Sequence, residues 1–152
     1  PAATAALDDV FEQLTDGAVG EPDMISVQGR VIPVPCQARG VARFGFADLC
    51  EKPLGPADYW SIACQYQTVI LSDIPQLSPR ERNAAKRFTA LIETLYEQRT
   101  KLVCSAAAPP DQLYVKGDGA AIFTRVTSRL EEMQSEDYLS EPHRPLTGRV
   151  AT

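Results

Sequence analysis

The chain has 152 residues, 44% hydrophobic and 23% charged, with a formal net charge of −5, enough for one domain with one sizeable core of ordinary globular composition. The acid excess argues against a general nucleic-acid footprint, while leaving room for a local basic patch. No stretch approaches the ~20 apolar residues of a membrane helix, and there is no signal-peptide pattern.

The first residue is Pro1 rather than methionine, so a cut or processed fragment is expected, with any missing motif upstream. Residues 3 to 15 predict a helix, with Leu7, Val10, Phe11 and Leu14 at helical spacing. Gly17, Gly20 and Pro22 break it. ISVQGRVIPVP then alternates around Gln28-Gly29, a hairpin signal, and Pro33 and Pro35 point to an edge strand. GVARFGF alternates again, with Val41 and Phe44 expected inward. ADLCEKPLGPADYWSIACQY predicts two short helices interrupted by Pro53, Gly55 and Pro56, with Pro56 opening the second.

TVIL (68 to 71) is a continuous apolar run that fits a strand buried on both faces. After SDIPQL, Ser78-Pro79-Arg80-Glu81 makes a helix start: Ser78 as N-cap, Pro79 in the first position, Glu81 closing a capping box. The helix that follows places Ala84, Phe88, Leu91, Ile92 and Leu95 on one face. KLVCS (101 to 105) is a second buried-strand candidate, and PPDQLY a loop entering one turn of helix. TVIL, helix and KLVCS therefore predict a parallel β-α-β unit of right-handed crossover. A last helix from Ile122 gathers Ile122, Phe123, Val126, Leu130 and Met133 on one face. The expected organisation is an N-terminal helix and linker (1–22), an α/β portion (23–139) and a flexible tail (140–152).

The four cysteines, Cys36, Cys50, Cys64 and Cys104, form no CxxC pair, and the single histidine, His143, lies in the tail. Zinc is disfavoured, and reduced structural cysteines in a cytosolic protein are expected. A Cys–His nucleophile would need His143 to fold back from a proline-flanked tail.

Ligands in open α/β sheets sit at the carboxyl ends of the strands, here Ser72-Asp73 and Ser105-Ala106. An apolar strand ending in an acid is how nucleotide hydrolases hold Mg²⁺; strand-ending aspartates are also common turn residues. Both readings of Asp73 are open, and Ser105 goes with it as a phosphate-site candidate. No G-x-x-x-x-G-K-[ST] is present, so nothing cradles a triphosphate. Gly117-Asp118-Gly119 reads as a plain turn. GxSxG and a Ser–His–Asp set are absent too.

FTRVTSRLEEMQSEDYL (123 to 139) carries Arg125 and Arg129 beside its apolar stripe. One reading pairs them with carboxylates, Glu132 being three residues beyond Arg129, their stems packed on apolar surface. The other points one of them at phosphate, which the planar guanidinium fork suits. Arg87 raises the same question on the long helix.

These segments carry a resemblance. VQGRVIPVP, GVARFGFADLCEKPLGPADYW, TVILSDIPQLSPRERNAAKRFTALIETLYEQRTKLVCSAAAPPDQLY and FTRVTSRLEEMQSEDYL resemble, in order over roughly residues 24 to 140, the C-terminal part of the ZapE-type ATPases, the family that includes the mitochondrial lactation-elevated ATPases. FADLC-x-x-PLG-x-ADY and SRL-x-EMQS-x-DYL are long and unusual. Gln67 stands where many relatives are expected to carry histidine. The resemblance implies an AAA-like P-loop ATPase using ATP and Mg²⁺, with the phosphate loop and main acidic metal motif upstream of Pro1. The fold expected here is α/β: a partial P-loop-type parallel sheet with flanking helices and a small N-terminal β-hairpin. It implies protein partners in cell division or quality control, with a homo-oligomer of the full-length protein left open; the acid excess and the lack of a long apolar run lead to the expectation of no nucleic acid and no membrane span, and the missing phosphate loop to that of an isolated chain that is inactive. By the logic of phosphoryl transfer, Arg129 is the first candidate to stabilise phosphate charge, with Arg125 and Arg87 behind it. The competing expectation is a non-catalytic module that docks other proteins. An independent small α/β enzyme is disfavoured by the missing histidine, metal and nucleophile sets.

Overall fold

Period-two and helical stretches alternate along the chain as the patterning predicts. A computed structural model describes residues 2–114, 120–135 and 138–139. The Gly117-Asp118-Gly119 turn, the side chain of Ile122, His143 and the tail from residue 140 lie outside the described residues.

Helix α1 (Ala2–Leu14) leads into strand β1 (Glu21–Val27), which turns back into β2 (Arg30–Ala38). The turn is the expected Gln28-Gly29, both left-handed at φ 49 and 80, the geometry a two-residue hairpin requires. Strand β3 (Val41–Gly45) pairs antiparallel with β2, and β4 (Thr68–Ile74) and β5 (Lys101–Ala106) add in parallel, giving the order β1-β2-β3-β4-β5. Strand β2 is interior in that order, yet β3 meets it only over Cys36–Ala38. Pro33 and Pro35 therefore fall where β2 has a neighbour on one side alone, and their missing N–H groups forfeit no ladder bond.

Helices α2 (Phe46–Cys50) and α3 (Pro56–Gln65) connect β3 to β4, and α4 (Arg82–Gln98) connects β4 to β5; α5 (Ala120–Glu132) follows. All four lie on one face of the sheet. Val69 and Leu71 point into that layer with Ala42 and Phe44, while Ile70 and Val41 point the other way, toward Leu7 and Phe11 of α1. Val41 and Phe44 are both buried, as expected, but on opposite faces. Strand β5 departs from expectation: Cys104 is exposed, because β5 has only β4 beside it among the described residues.

The capping box forms as read: the Ser78 amide donates to Glu81 Oε1 at 3.1 Å, and Ser78 Oγ accepts from the Arg80 amide at 3.3 Å. It opens a short 3-10 turn, Pro79–Glu81, ahead of α4. Ala85, Phe88, Leu91, Ile92 and Leu95 are buried, and Ala84 is half-buried. Each large apolar side chain there contributes roughly 1.5–3 kcal/mol. An aromatic run joins the helices, from Phe46 through Phe88 and Phe123 to Tyr114, at centroid spacings of 5.8, 6.0 and 5.1 Å.

The first turn of α3 holds a fully buried carboxylate. Asp58 Oδ2 accepts the Gly55 amide at 2.7 Å, and both its oxygens take the Arg30 guanidinium, at 3.1 and 2.7 Å. This fork ties the hairpin turn to α3. Arg30→Ala leaves that carboxylate short of a charged partner and is expected to cost about 2–3 kcal/mol; a smaller effect than Met24→Ala on the denaturant midpoint would show the fork to be dispensable.

Burial pushes the Cys50 thiol from 9.0 up to about 12. The folded chain thus holds this proton more tightly than the unfolded one. The stability it contributes is full below the unfolded value and is lost as pH rises toward the folded value. Between about pH 8 and about pH 10.5 the urea midpoint is expected to fall further in the native chain than in Cys50→Ala; parallel falls would refute it.

Candidate functional site

The carboxyl rim of the parallel strands is the first place to look. Asp73 stands there at φ 63, left-handed for a residue with a Cβ, a conformation that costs about 1–3 kcal/mol. Its amide donates to Ser105 Oγ at 3.0 Å. The fold therefore brings the two rim candidates together across β4 and β5. Ser72 Oγ donates to the Phe44 carbonyl at 3.4 Å, extending the rim to β3. Beside it opens a cleft of about 410 Å³ lined by Ile74, Cys104, Leu113, Leu130 and Gln134. Apart from the Cys104 thiol and the Gln134 amide, these walls are apolar. Among the described residues, no three His, Cys, Asp or Glu side chains gather to hold a metal ion. Among the described residues neither a glycine-rich nest nor a lysine stands above the rim, so those residues do not by themselves fit a triphosphate.

The arginines of α5 sit elsewhere, against α4. Phe123, Val126, Leu130 and Met133 bury one face of α5, and that placement turns its edge toward Glu93 and Tyr96. Arg125 Nε meets Glu93 Oε2 at 2.6 Å and Arg129 Nε meets Glu93 Oε1 at 3.2 Å, so one carboxylate serves both. The Arg129 guanidinium lies 4.2 Å from the centroid of the Tyr96 ring. Tyr96 Oη donates to Glu132 Oε2 at 2.6 Å. Glu132, the carboxylate expected to serve Arg129, thus holds the tyrosine. That hydrogen bond, helped by burial, raises the Tyr96 phenol pKa above its ordinary value. Desolvation pulls the Arg129 pKa down, but the hydrogen bond to Glu93 and the surrounding acids outweigh it and leave it raised.

The cluster continues outward. Tyr96 stacks on Tyr138 at 5.7 Å, with Arg99 over both rings and Lys101 over Tyr138. Tyr138 Oη donates to the Leu95 carbonyl at 3.1 Å and the Thr100 carbonyl at 2.8 Å, closing the end of α4. Arg87 is engaged separately, donating to the Cys50 carbonyl at 3.3 Å at the end of α2. Gln67, the position of the expected histidine, donates to the Arg39 carbonyl at 3.4 Å beside the β2–β3 turn.

Glu93, Tyr96, Arg99 and Tyr138 were not singled out from the sequence. The available signal was spacing: Glu93 and Tyr96 lie three apart on one helix, Arg125 and Arg129 four apart on the next, each pair beside its apolar stripe. Glu93→Gln strips both arginines of their shared charge. It is expected to cost about 1 kcal/mol, because the pair is partly exposed, whereas Arg125→Ala alone costs a fraction of that. A denaturant midpoint unmoved by Glu93→Gln would show that the contact contributes nothing.

Comparison with known proteins follows the same segments. Residues 1–142 match the family model described as AFG1-like ATPase. The chain is 34% identical over 143 residues to lactation elevated protein 1 homolog B of Danio rerio, covering 93% of this chain and 28% of that protein. It is 31% identical over 140 residues to cell division protein ZapE of Escherichia coli K12, covering 91% of this chain and 37% of that protein. The chain thus spans about a third of the length of these relatives. No solved structure matches it. With one family model running through the sheet, the rim and the arginine-bearing helix alike, the chain belongs to the AFG1-like ATPase family.

Proposed function

We propose that this chain is the part of an AFG1-like ATPase that lies beyond the phosphate-binding loop, inactive alone and needed to complete the enzyme. The observation that carries this reading is a mismatch. The family model runs over residues 1–142, yet the chain has no G-x-x-x-x-G-K-[ST], and the described residues of its rim do not by themselves fit a triphosphate. ATP and Mg²⁺ are then bound and hydrolysed only by the longer cytoplasmic protein. One relative is named for cell division, which supports partners of that kind; quality-control substrates are the other expectation. No helix among the described residues is long and apolar enough to cross a membrane.

Within the longer protein, Arg129 remains the first candidate for a phosphate contact, with Arg125 and Arg87 behind it and Asp73 and Ser105 at the rim. Each arginine already has a protein partner, Glu93 or the Cys50 carbonyl. A phosphate role therefore requires Arg129 to exchange Glu93 for a stronger anion, which charge-assisted bidentate bonding permits. The engaged state of these arginines also favours a second reading, a packing and docking module without a catalytic side chain. One experiment separates the two: Mg-ATP turnover by the longest natural polypeptide containing this chain, with and without Arg129→Ala. Turnover in the native protein and a fall in kcat of more than about tenfold with the fold intact supports the phosphate contact. Unchanged kcat with a lowered denaturant midpoint returns Arg129 to packing, and no turnover in the native polypeptide defeats the ATPase reading.

A further inference from the structure

The sheet has two faces, and one is only partly covered. Helix α1 lies over Ala38, Val41 and Ile70. Beyond it stands the outer face of the β1–β2 arm. Ile25, Val27, Ile32 and Val34 point into the helix layer, so alternation turns Met24 and Val31 outward. They are 69% and 56% exposed, and Pro22, Pro33 and Pro35 beside them are exposed too. The same face dips, at the carboxyl ends of β3 and β4, into a cleft of about 220 Å³ lined by Pro35, Cys36, Arg43, Ile70 and Ser72.

We propose that this face is the seat of the remaining polypeptide of the longer ATPase, an apolar segment lying across the β1–β2 arm and reaching into the cleft. The proposal rests on the reading above, that the chain belongs to a longer enzyme. Three observations carry it. Parallel strands bury both faces, yet at the carboxyl ends of the parallel pair β3 and β4 no α1 residue lines the cleft, and the antiparallel arm beside it carries two of the exposed large apolar side chains, Met24 and Val31. Roughly two thirds of each relative lies outside the matched region, so a tethered occupant is at hand at high effective concentration. The patch is apolar apart from Arg43 at the cleft, which is paired with Asp8 at 2.6 Å, in a chain of net charge −5, which disfavours anionic lipid and nucleic acid. The three prolines discourage an added strand at the edge, so docking is through side chains on the face. The Arg30–Asp58 fork holds the arm against α3, so the platform is formed before anything lands on it.

The test places cysteine reporters at Met24→Cys and Val31→Cys, with Asn83→Cys on the exposed start of α4 as control. Maleimide labelling of each peptide is followed by mass spectrometry in the 152-residue chain and in the longest natural polypeptide containing it. Labelling slower by about tenfold or more at both arm positions of the long form, with the control unchanged, supports the proposal. Equal rates at all three positions in the two forms overturn it, whatever the turnover. Protection already present in the short chain and growing with its concentration assigns the face to a second copy and overturns it too. Arm protection in a long form without ATP turnover would sink the enzyme reading while leaving the docking face standing. A natural polypeptide no longer than this chain refutes both.

Discussion

Two successive crossovers, both stepping the same way across the sheet, govern the architecture. A right-handed connection can place its helix on only one side of the strands it joins. Strands β3, β4 and β5 advance in a single direction, so α2, α3 and α4 share one face. That face becomes the main core, with Phe88, Leu91, Ile92 and Leu95 at its centre. The opposite face inherits only α1 and the small cluster around Leu7 and Phe11. The asymmetry of the molecule, one thick layer and one thin one, follows from the order of strands rather than from any single contact.

Charge fastens the periphery that hydrophobic burial leaves loose. Arg30 and Asp58 join segments 28 residues apart, and Glu93 reaches Arg129 across 36. The two contacts differ in kind. Asp58 is fully buried, so its partner is obligatory: a bare carboxylate there is costly. Glu93 and its arginines keep some access to water, so the same chemistry yields little stability there. A deeply buried ion pair and a partly exposed one thus coexist in a small domain, and burial sets how much each contributes.

Much of the fold was legible because it is written locally. TVIL is apolar over consecutive positions, Ser78 to Glu81 spells a capping box, and Gln28-Gly29 marks the hairpin; each became the element expected of it. What escaped was set by distant partners. KLVCS has the composition of a buried strand, and only its place at the end of the strand order exposes Cys104. Asp58 looks like a helix-start acid and is that, through the Gly55 amide, but its tie to Arg30 depends on how the hairpin folds over α3. The edge position of Arg129 was readable from helical geometry. Its choice of Glu93 over Glu132 was not, because it depends on the crossing of α4 and α5.

The Tyr138 phenol has a consequence in time as well as in space. It spans to Leu95 and Thr100 across 43 and 38 residues of later synthesis. A ribosome adding roughly 5–20 residues per second delivers that hydroxyl some seconds after the carbonyls it will hold. Helix α4 forms in about a microsecond, and its end is turned by the left-handed Arg99, with the Thr100 amide donating to the Leu95 carbonyl at 3.0 Å. The nascent chain therefore carries a capped helix for nearly all of that interval, and the Tyr138 hydroxyl arrives as a second, late donor to a carbonyl that already has one.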